Sequence, residues 1–298
     1  MKSRLFTFGC SFTQYHWPTW ADILGKEFDE FQNWGLNGSG NYCIFNSLNE
    51  CMLRNNITEH DTVIIMWTNI MREDRYINNK WITLGNIHTQ KSSGFNKAII
   101  KYLLDERGYL LRDLSFIHSA KNLLENIGTK HIFLSMVPIN NIDQYSISLT
   151  NNDDIIKLYK DTIDSIRPSV YETIFNFNWH SKPFPPVNLI THNELCQEIY
   201  TSLAGSDWPS LKDFINKNFQ GITQNIITEI STVISDISNK LRIDLHPTPA
   251  EHLQYIETIM PEFTINTSTK KWTASLDNLV RFEQSLENSW QPDLPNRF

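Results

Sequence analysis

The chain has 298 residues, 40% of them hydrophobic and 20% charged, enough to bury a sizeable core as one large domain with insertions or two small ones, and incompatible with general disorder. Its 26 Lys and Arg against 33 Asp and Glu leave a net charge of −7, which argues against a protein whose main task is neutralising nucleic-acid phosphates. The four cysteines, Cys10, Cys43, Cys51 and Cys196, form no Cys-x-x-Cys pair, so free thiols are expected rather than a zinc knuckle or a redox couple.

The first apolar run, Leu5 to Phe8, is too short for the apolar region of a signal peptide, and later runs fall far short of a membrane span. The expectation is an unexported, cytoplasmic chain with no membrane partner. That first run reads as a strand ending at Gly9. Behind Pro18, a suitable first-turn proline, Trp20, Ile23, Leu24 and Phe28 recur at helical spacing. Residues 30–34 read as a second strand entering a glycine-rich stretch, after which Ile44, Leu48, Cys51 and Met52 mark one face of a helix. Residues 61–67 form a continuous β-branched and apolar run, as expected of a strand buried on both faces of a parallel sheet. Residues 114–124 read as a helix stopping near Gly128, and 130–137 as the next buried strand.

This alternation predicts an α/β fold with a parallel central sheet and helices on both faces. Two stretches break it, giving a core of about 1–75, 112–138 and 241–262, insertions of about 76–111 and 139–240, and a C-terminal helical tail over 263–298. Helical pieces in the longer insertion are expected over 153–166, 211–219 and 222–241, which makes it a helical cap. A core helix is expected over 250–260 and one more amphipathic helix near 276–286.

Four short segments carry chemistry. Phe8-Gly9-Cys10-Ser11-Phe12-Thr13 puts a serine on a turn at the carboxyl end of the first strand, where α/β proteins build their sites, although serine is also an ordinary helix cap there. Asn33-Trp34-Gly35-Leu36-Asn37-Gly38-Ser39-Gly40-Asn41 follows the second strand. Its glycines let backbone N–H groups face an anion, but it is no dinucleotide fingerprint. Trp67-Thr68-Asn69-Ile70 ends the third strand with an amide able to donate to an oxyanion, or to bond its own turn. Asp244-Leu245-His246-Pro247 sets a carboxylate two residues before a histidine on a proline-stiffened loop, where it can hold the imidazole in one tautomer. Cys10 and Ser11 are adjacent, so they should point to opposite sides and not share one site. Tyr15, His16 and Arg72, which flank these segments, and Trp67, which opens the third, are candidates for the substrate pocket. His180 and His192 fit no metal motif, and no metal or organic cofactor is implied.

In their order and their places after successive strands, the four segments resemble the blocks of the SGNH, or GDSL-like, hydrolase superfamily. The chain departs from that pattern in having Cys10 where the first block has Asp, Ile70 where the third has a second polar residue, and a two-residue gap between Asp244 and His246 where the last has three. The resemblance implies a three-layer α/β/α, flavodoxin-like fold and acyl transfer. Ser11 would be the nucleophile, His246 the base and Asp244 its orienting acid, with the Ser11 and Gly38 N–H groups and the Asn69 side chain as the oxyanion hole. A small acyl ester, in particular an O-acetyl group on a glycan or similar polar molecule, is the substrate expected. An acyltransferase on the same residues, and a catalytically silent binding or virion structural protein of the same fold, are the alternatives. The Gly-Cys-Ser-Phe-Thr opening is similar to that of proteins of bacterial and phage genomes. Nothing in the sequence fixes an oligomeric state.

Overall fold

The computed structural model describes residues 2–86, 105–139, 153–174 and 246–282. In chain order these form β1 (Arg4–Phe8), α1 (Trp20–Gly25), β2 (Glu30–Asn33), α2 (Asn41–Asn55), β3 (Thr62–Trp67), β4 (Arg72–Ile77), β5 (Lys80–Asn86), α3 (Glu106–Ile127), β6 (Lys130–Ser135), α4 (Asp153–Leu158), α5 (Lys160–Asp164), α6 (Val170–Ile174), α7 (Pro249–Ile259) and α8 (Thr267–Phe282). The chain divides into two compact units. The first takes Met1–Ile142, Ser148–Phe177 and Pro247–Phe298, and the second Asp143–Ile147 and Asn178–His246. Of the second, only His246 lies among the described residues.

The first unit is an α/β fold on a four-stranded parallel sheet of order β2-β1-β3-β6. All six residues of β3 are buried, as its unbroken apolar run requires of a strand covered on both faces. The chain steps outward from β1 to β2, then back across β1 to β3. Right-handed crossovers in opposite directions put α1 and α2 on opposite faces. Accordingly α1 packs with α7, and α2 with α3. The reversal makes the gap between the carboxyl ends of β1 and β3 a topological switch point, the place where open α/β sheets bind ligands.

Local signals set most helix ends. Thr19 and Asp22 close a capping box at the start of α1, and Thr248 and Glu251 close another ahead of α7, with Pro249 in its first turn. Gly128 ends α3 in the left-handed conformation, its N–H reaching the carbonyls of Leu124 and Glu125. The start of α3 lies earlier than its apolar pattern suggests, because Asp105 caps it by accepting from the Arg107 N–H.

Two stretches differ from their sequence reading. The hairpin β4–β5 occupies Arg72–Asn86, turned by Asn78 and Asn79, both with positive φ, the geometry that a tight hairpin demands. The expected helix over 153–166 is two short helices broken at Tyr159. The chain beyond them returns to the sheet, where Ile166 forms a single parallel bridge with Phe133 and the Arg167 N–H donates to the Phe133 carbonyl at 2.9 Å. Residues 153–174, read from sequence as part of the cap, therefore belong to the same unit as the core. A one-residue bridge has no alternating run by which sequence would reveal it. The helices expected over 211–219 and 222–241, together with Cys196, His180 and His192, lie outside the described residues. Among the described residues no helix is long and apolar enough to cross a membrane.

Candidate functional site at the carboxyl edge of the sheet

After β1 the backbone turns at once, with the N–H groups of Thr13 and Gln14 both donating to the Cys10 carbonyl. The turn needs a glycine at its mouth, since a Cβ on Gly9 would stand 2.0 Å from Thr13 Oγ1 and 3.1 Å from the Met66 carbonyl oxygen on β3. The Cys10 thiol is fully buried with its Sγ 3.8 Å from Met136 Sδ, and Ser11 is buried too, at 4% exposure. Among the described residues the Ser11 hydroxyl makes no hydrogen bond.

The loop after β2 folds back on this turn. The Leu36 N–H and the Ser39 hydroxyl both donate to the Gly9 carbonyl at 3.0 Å. Gly38 sits between them with φ +77, close to Thr83 of β5. The N-terminus of α2, which the glycine-rich sequence offered as an anion site, is occupied from within. Buried Asp74 accepts from the Gly40 N–H at 2.8 Å through Oδ1 and from the Cys43 N–H at 2.9 Å through Oδ2. The fit is tight: a Cβ on Gly40 would lie 2.8 Å from both Arg72 Cβ and Asp74 Oδ2. Burial pushes the Asp74 carboxyl above its ordinary range, opposed by those two N–H bonds.

The third loop carries Asn69, 7% exposed. Its Oδ1 accepts from the Met71 N–H at 2.7 Å, the self-bonded turn that is the ordinary use of such an asparagine. That bond also orients the amide. With Oδ1 held, Nδ2 remains as a donor that no described residue takes up. The preceding residue is fixed by buried Asn41, whose Oδ1 accepts from the Thr68 N–H at 2.8 Å and whose Nδ2 donates to the Thr68 carbonyl and to Asp113 Oδ2. Asp113, held at 2.7 Å from Arg112 Nε, joins a buried network in which Glu73 accepts from Arg112, Arg75 and the Tyr109 hydroxyl. Sequence reading missed Asp113 and the partners of Asn41 and Asp74, because each bonds a residue far along the chain.

The remaining candidates are placed as follows. His246 is half-buried, two residues ahead of the capping Thr248 of α7. Asp244 lies outside the described residues. Pro247, next after His246, is tied to the first loop, since the Trp17 indole N–H donates to its carbonyl at 2.8 Å. Tyr15 packs between His16 and Trp17, each ring centroid 4.7 Å away, with His16 exposed. Trp67 is fully buried on β3 against Phe133, so it supports the site from beneath and lines no open surface. Arg72 is half-buried at the mouth and donates from Nη1 to the Ser39 carbonyl at 3.0 Å.

Behind the first loop, the Thr13 carbonyl accepts from the Thr19 hydroxyl at 2.6 Å and from Asn33 Nδ2 at 2.7 Å. Both donors also touch the buried Asp22 carboxyl, which burial pushes up to about 7 against the pull of those same hydrogen bonds. Burial likewise raises Asp113 to about 6, against its Arg112 partner. A carboxyl raised by folding holds its proton more tightly in the native state. The stability it contributes is therefore full below the ordinary carboxylate range and is lost as pH rises through the raised value. Urea unfolding followed from pH 5 to 8 is expected to show stability falling toward neutral pH, each group contributing at most about 1.4 kcal/mol per pH unit. Asp22→Asn should flatten the part of the slope between pH 6 and 7; an unchanged slope would refute the placement of that proton.

Comparison with known proteins adds little to this geometry. No protein-family model matches the sequence, and no curated protein matches it. Among solved structures, the crystal structure of a member of the lipolytic protein G-D-S-L family from Veillonella parvula DSM 2008 is similar at 13% identity, over 61% of this chain and 85% of that one, with a TM-score of 0.34. A likeness that distant carries no argument about activity, so the functional reading rests on the chain's own residues.

Proposed function

We propose that the chain is a serine esterase acting on a small acyl ester, in particular an O-acetyl group on a carbohydrate or similar polar molecule. The observation that supports this reading is that the loops after β1, β2 and β3 are tied together at the switch point, the Gly9 carbonyl accepting from Leu36 and Ser39 and the Asn41 side chain bonding Thr68. One brings a serine hydroxyl without a hydrogen bond among the described residues, one brings Gly38, and one brings an asparagine whose amide is oriented with its donor unspent. In the reading, Ser11 Oγ attacks the ester carbonyl carbon while His246 takes its proton, with Asp244 orienting the imidazole. The negative oxygen is met by the N–H groups of Ser11 and Gly38 and by Asn69 Nδ2. His246 returns the proton to the departing alcohol, and water then cleaves the acetyl-enzyme.

The direct test is intact-mass analysis after exposure to a fluorophosphonate, with turnover of p-nitrophenyl acetate beside it. One adduct at Ser11 and measurable turnover are expected; neither labelling nor turnover would favour a silent binding protein on the same fold. Asn69→Ala is expected to lower kcat by about 10²–10³, as the loss of one oxyanion donor does elsewhere. Wild-type kcat in a folded Asn69→Ala protein would remove Asn69 from the mechanism.

A further inference from the structure

We propose that Arg72 is the anion-recognition residue of this site, and that the ester it serves carries a carboxylate on its alcohol portion. The proposal rests on the esterase reading and narrows its substrate class. Arg72 opens β4 three residues after Asn69, and its guanidinium reaches across the carboxyl ends of the sheet. Nη1 donates to the Ser39 carbonyl after β2, and Nη2 lies 3.6 Å from Met136 Sδ after β6. The same sulfur receives the Cys10 thiol from the β1 loop and the Thr68 hydroxyl at 3.7 Å from the β3 loop. Tyr171, a buried phenol that feels the Arg72 charge, stacks on Phe12 beside Ser11 with ring centroids 5.9 Å apart. Arg72 therefore stands where all four parallel strands end.

Its charge is felt by the buried Asp74 carboxyl but is held in no ion pair among the described residues. Among the described residues no carboxylate makes an ion pair with Arg72, whereas its neighbours Arg75 and Arg112 are both paired, through Glu73 and Asp113. The nearby Asp74 carboxylate has given both oxygens to the N-terminus of α2. Arg72 thus meets one carbonyl and one weakly accepting sulfur, which leaves an N–H on each terminal nitrogen and the Nε–H. Holding a half-buried guanidinium on neutral acceptors is costly, and an incoming anion relieves that cost with charge-assisted, two-pronged hydrogen bonds. A carboxylate fits better than a phosphate. One guanidinium balances one charge, and the helix N-terminus that could take a second is already filled by Asp74.

The test compares 4-acetoxybenzoate with its methyl ester, which carry the same acetyl group and differ in charge on the alcohol side. In wild type and Arg72→Gln, the ratio of kcat/KM for the anionic over the neutral ester cancels intrinsic reactivity. Arg72→Gln is expected to lower that ratio roughly tenfold or more, mainly through KM, with Arg72→Lys between the two. An unchanged ratio in folded Arg72→Gln would overturn the proposal. Calorimetric binding of 4-hydroxybenzoate to wild type reads the same site without turnover and without a variant: binding that its methyl ester does not share supports the proposal, and equal or absent binding overturns it. Selective binding with no turnover of either ester would sink the esterase reading and keep the anion site. Turnover of both esters at an unchanged ratio would do the reverse.

Discussion

Ser11→Ala is expected to fold like wild type and to lose ester turnover by about 10⁴-fold or more. Stability should stay within about 0.5 kcal/mol, because the lost hydroxyl makes no hydrogen bond among the described residues and an alanine methyl fits the same turn. The large kinetic effect follows from the chemistry assigned to that oxygen. Without it no acyl-enzyme forms, and the oxyanion donors are left with only an unactivated water to assist. Circular dichroism and a thermal midpoint establish the fold, p-nitrophenyl acetate gives the rate, and the fluorophosphonate adduct should vanish. Turnover within a few-fold of wild type would remove Ser11 as nucleophile. Cys10 would not replace it, since its thiol is fully buried against Met136.

Asp74→Ala carries the largest expected loss of stability. Two N–H groups at the start of α2, those of Gly40 and Cys43, lose their acceptor together in a place where water does not readily substitute. Losing a cap costs about 1 kcal/mol, and each buried donor left unpaired adds a similar amount or more, so a total of about 3 kcal/mol is expected. For a chain of this size that is a fall of roughly 5 °C in the thermal midpoint. Asp74→Asn keeps one acceptor oxygen but turns an amide against the second N–H, and should recover only part of the loss. Turnover should fall as well, because the Gly38 loop and the Arg72 stem both pack at this point. A midpoint for Asp74→Ala equal to wild type would show that α2 does not depend on this cap.

The legible part of this protein is the part written in neighbouring residues. The apolar run of β3, the glycine before Ser11, the capping pair of Thr248 and Glu251 with Pro249, and the glycine that stops α3 are each decided within a few positions by sterics and local hydrogen bonds. From these the parallel α/β sheet and the positions of Ser11, Gly38 and Asn69 at strand ends could be read directly. Other features required the folded chain. Asp74 accepts from Gly40, 34 residues earlier, to cap α2, Asn41 fixes a loop 27 residues away, and its link to Asp113 spans 72. Ile166 joins the sheet through one bridge, and the carboxylates around Arg72 are engaged elsewhere, Glu73 and Asp113 by Arg75 and Arg112 and Asp74 by the start of α2. A buried polar side chain accepts any partner of suitable geometry, so its choice is set by which segments the sheet brings together. Neighbouring residues settle which side chains stand at the edge of the sheet, and the pairing of distant segments settles which of them keep hydrogen-bonding groups unused.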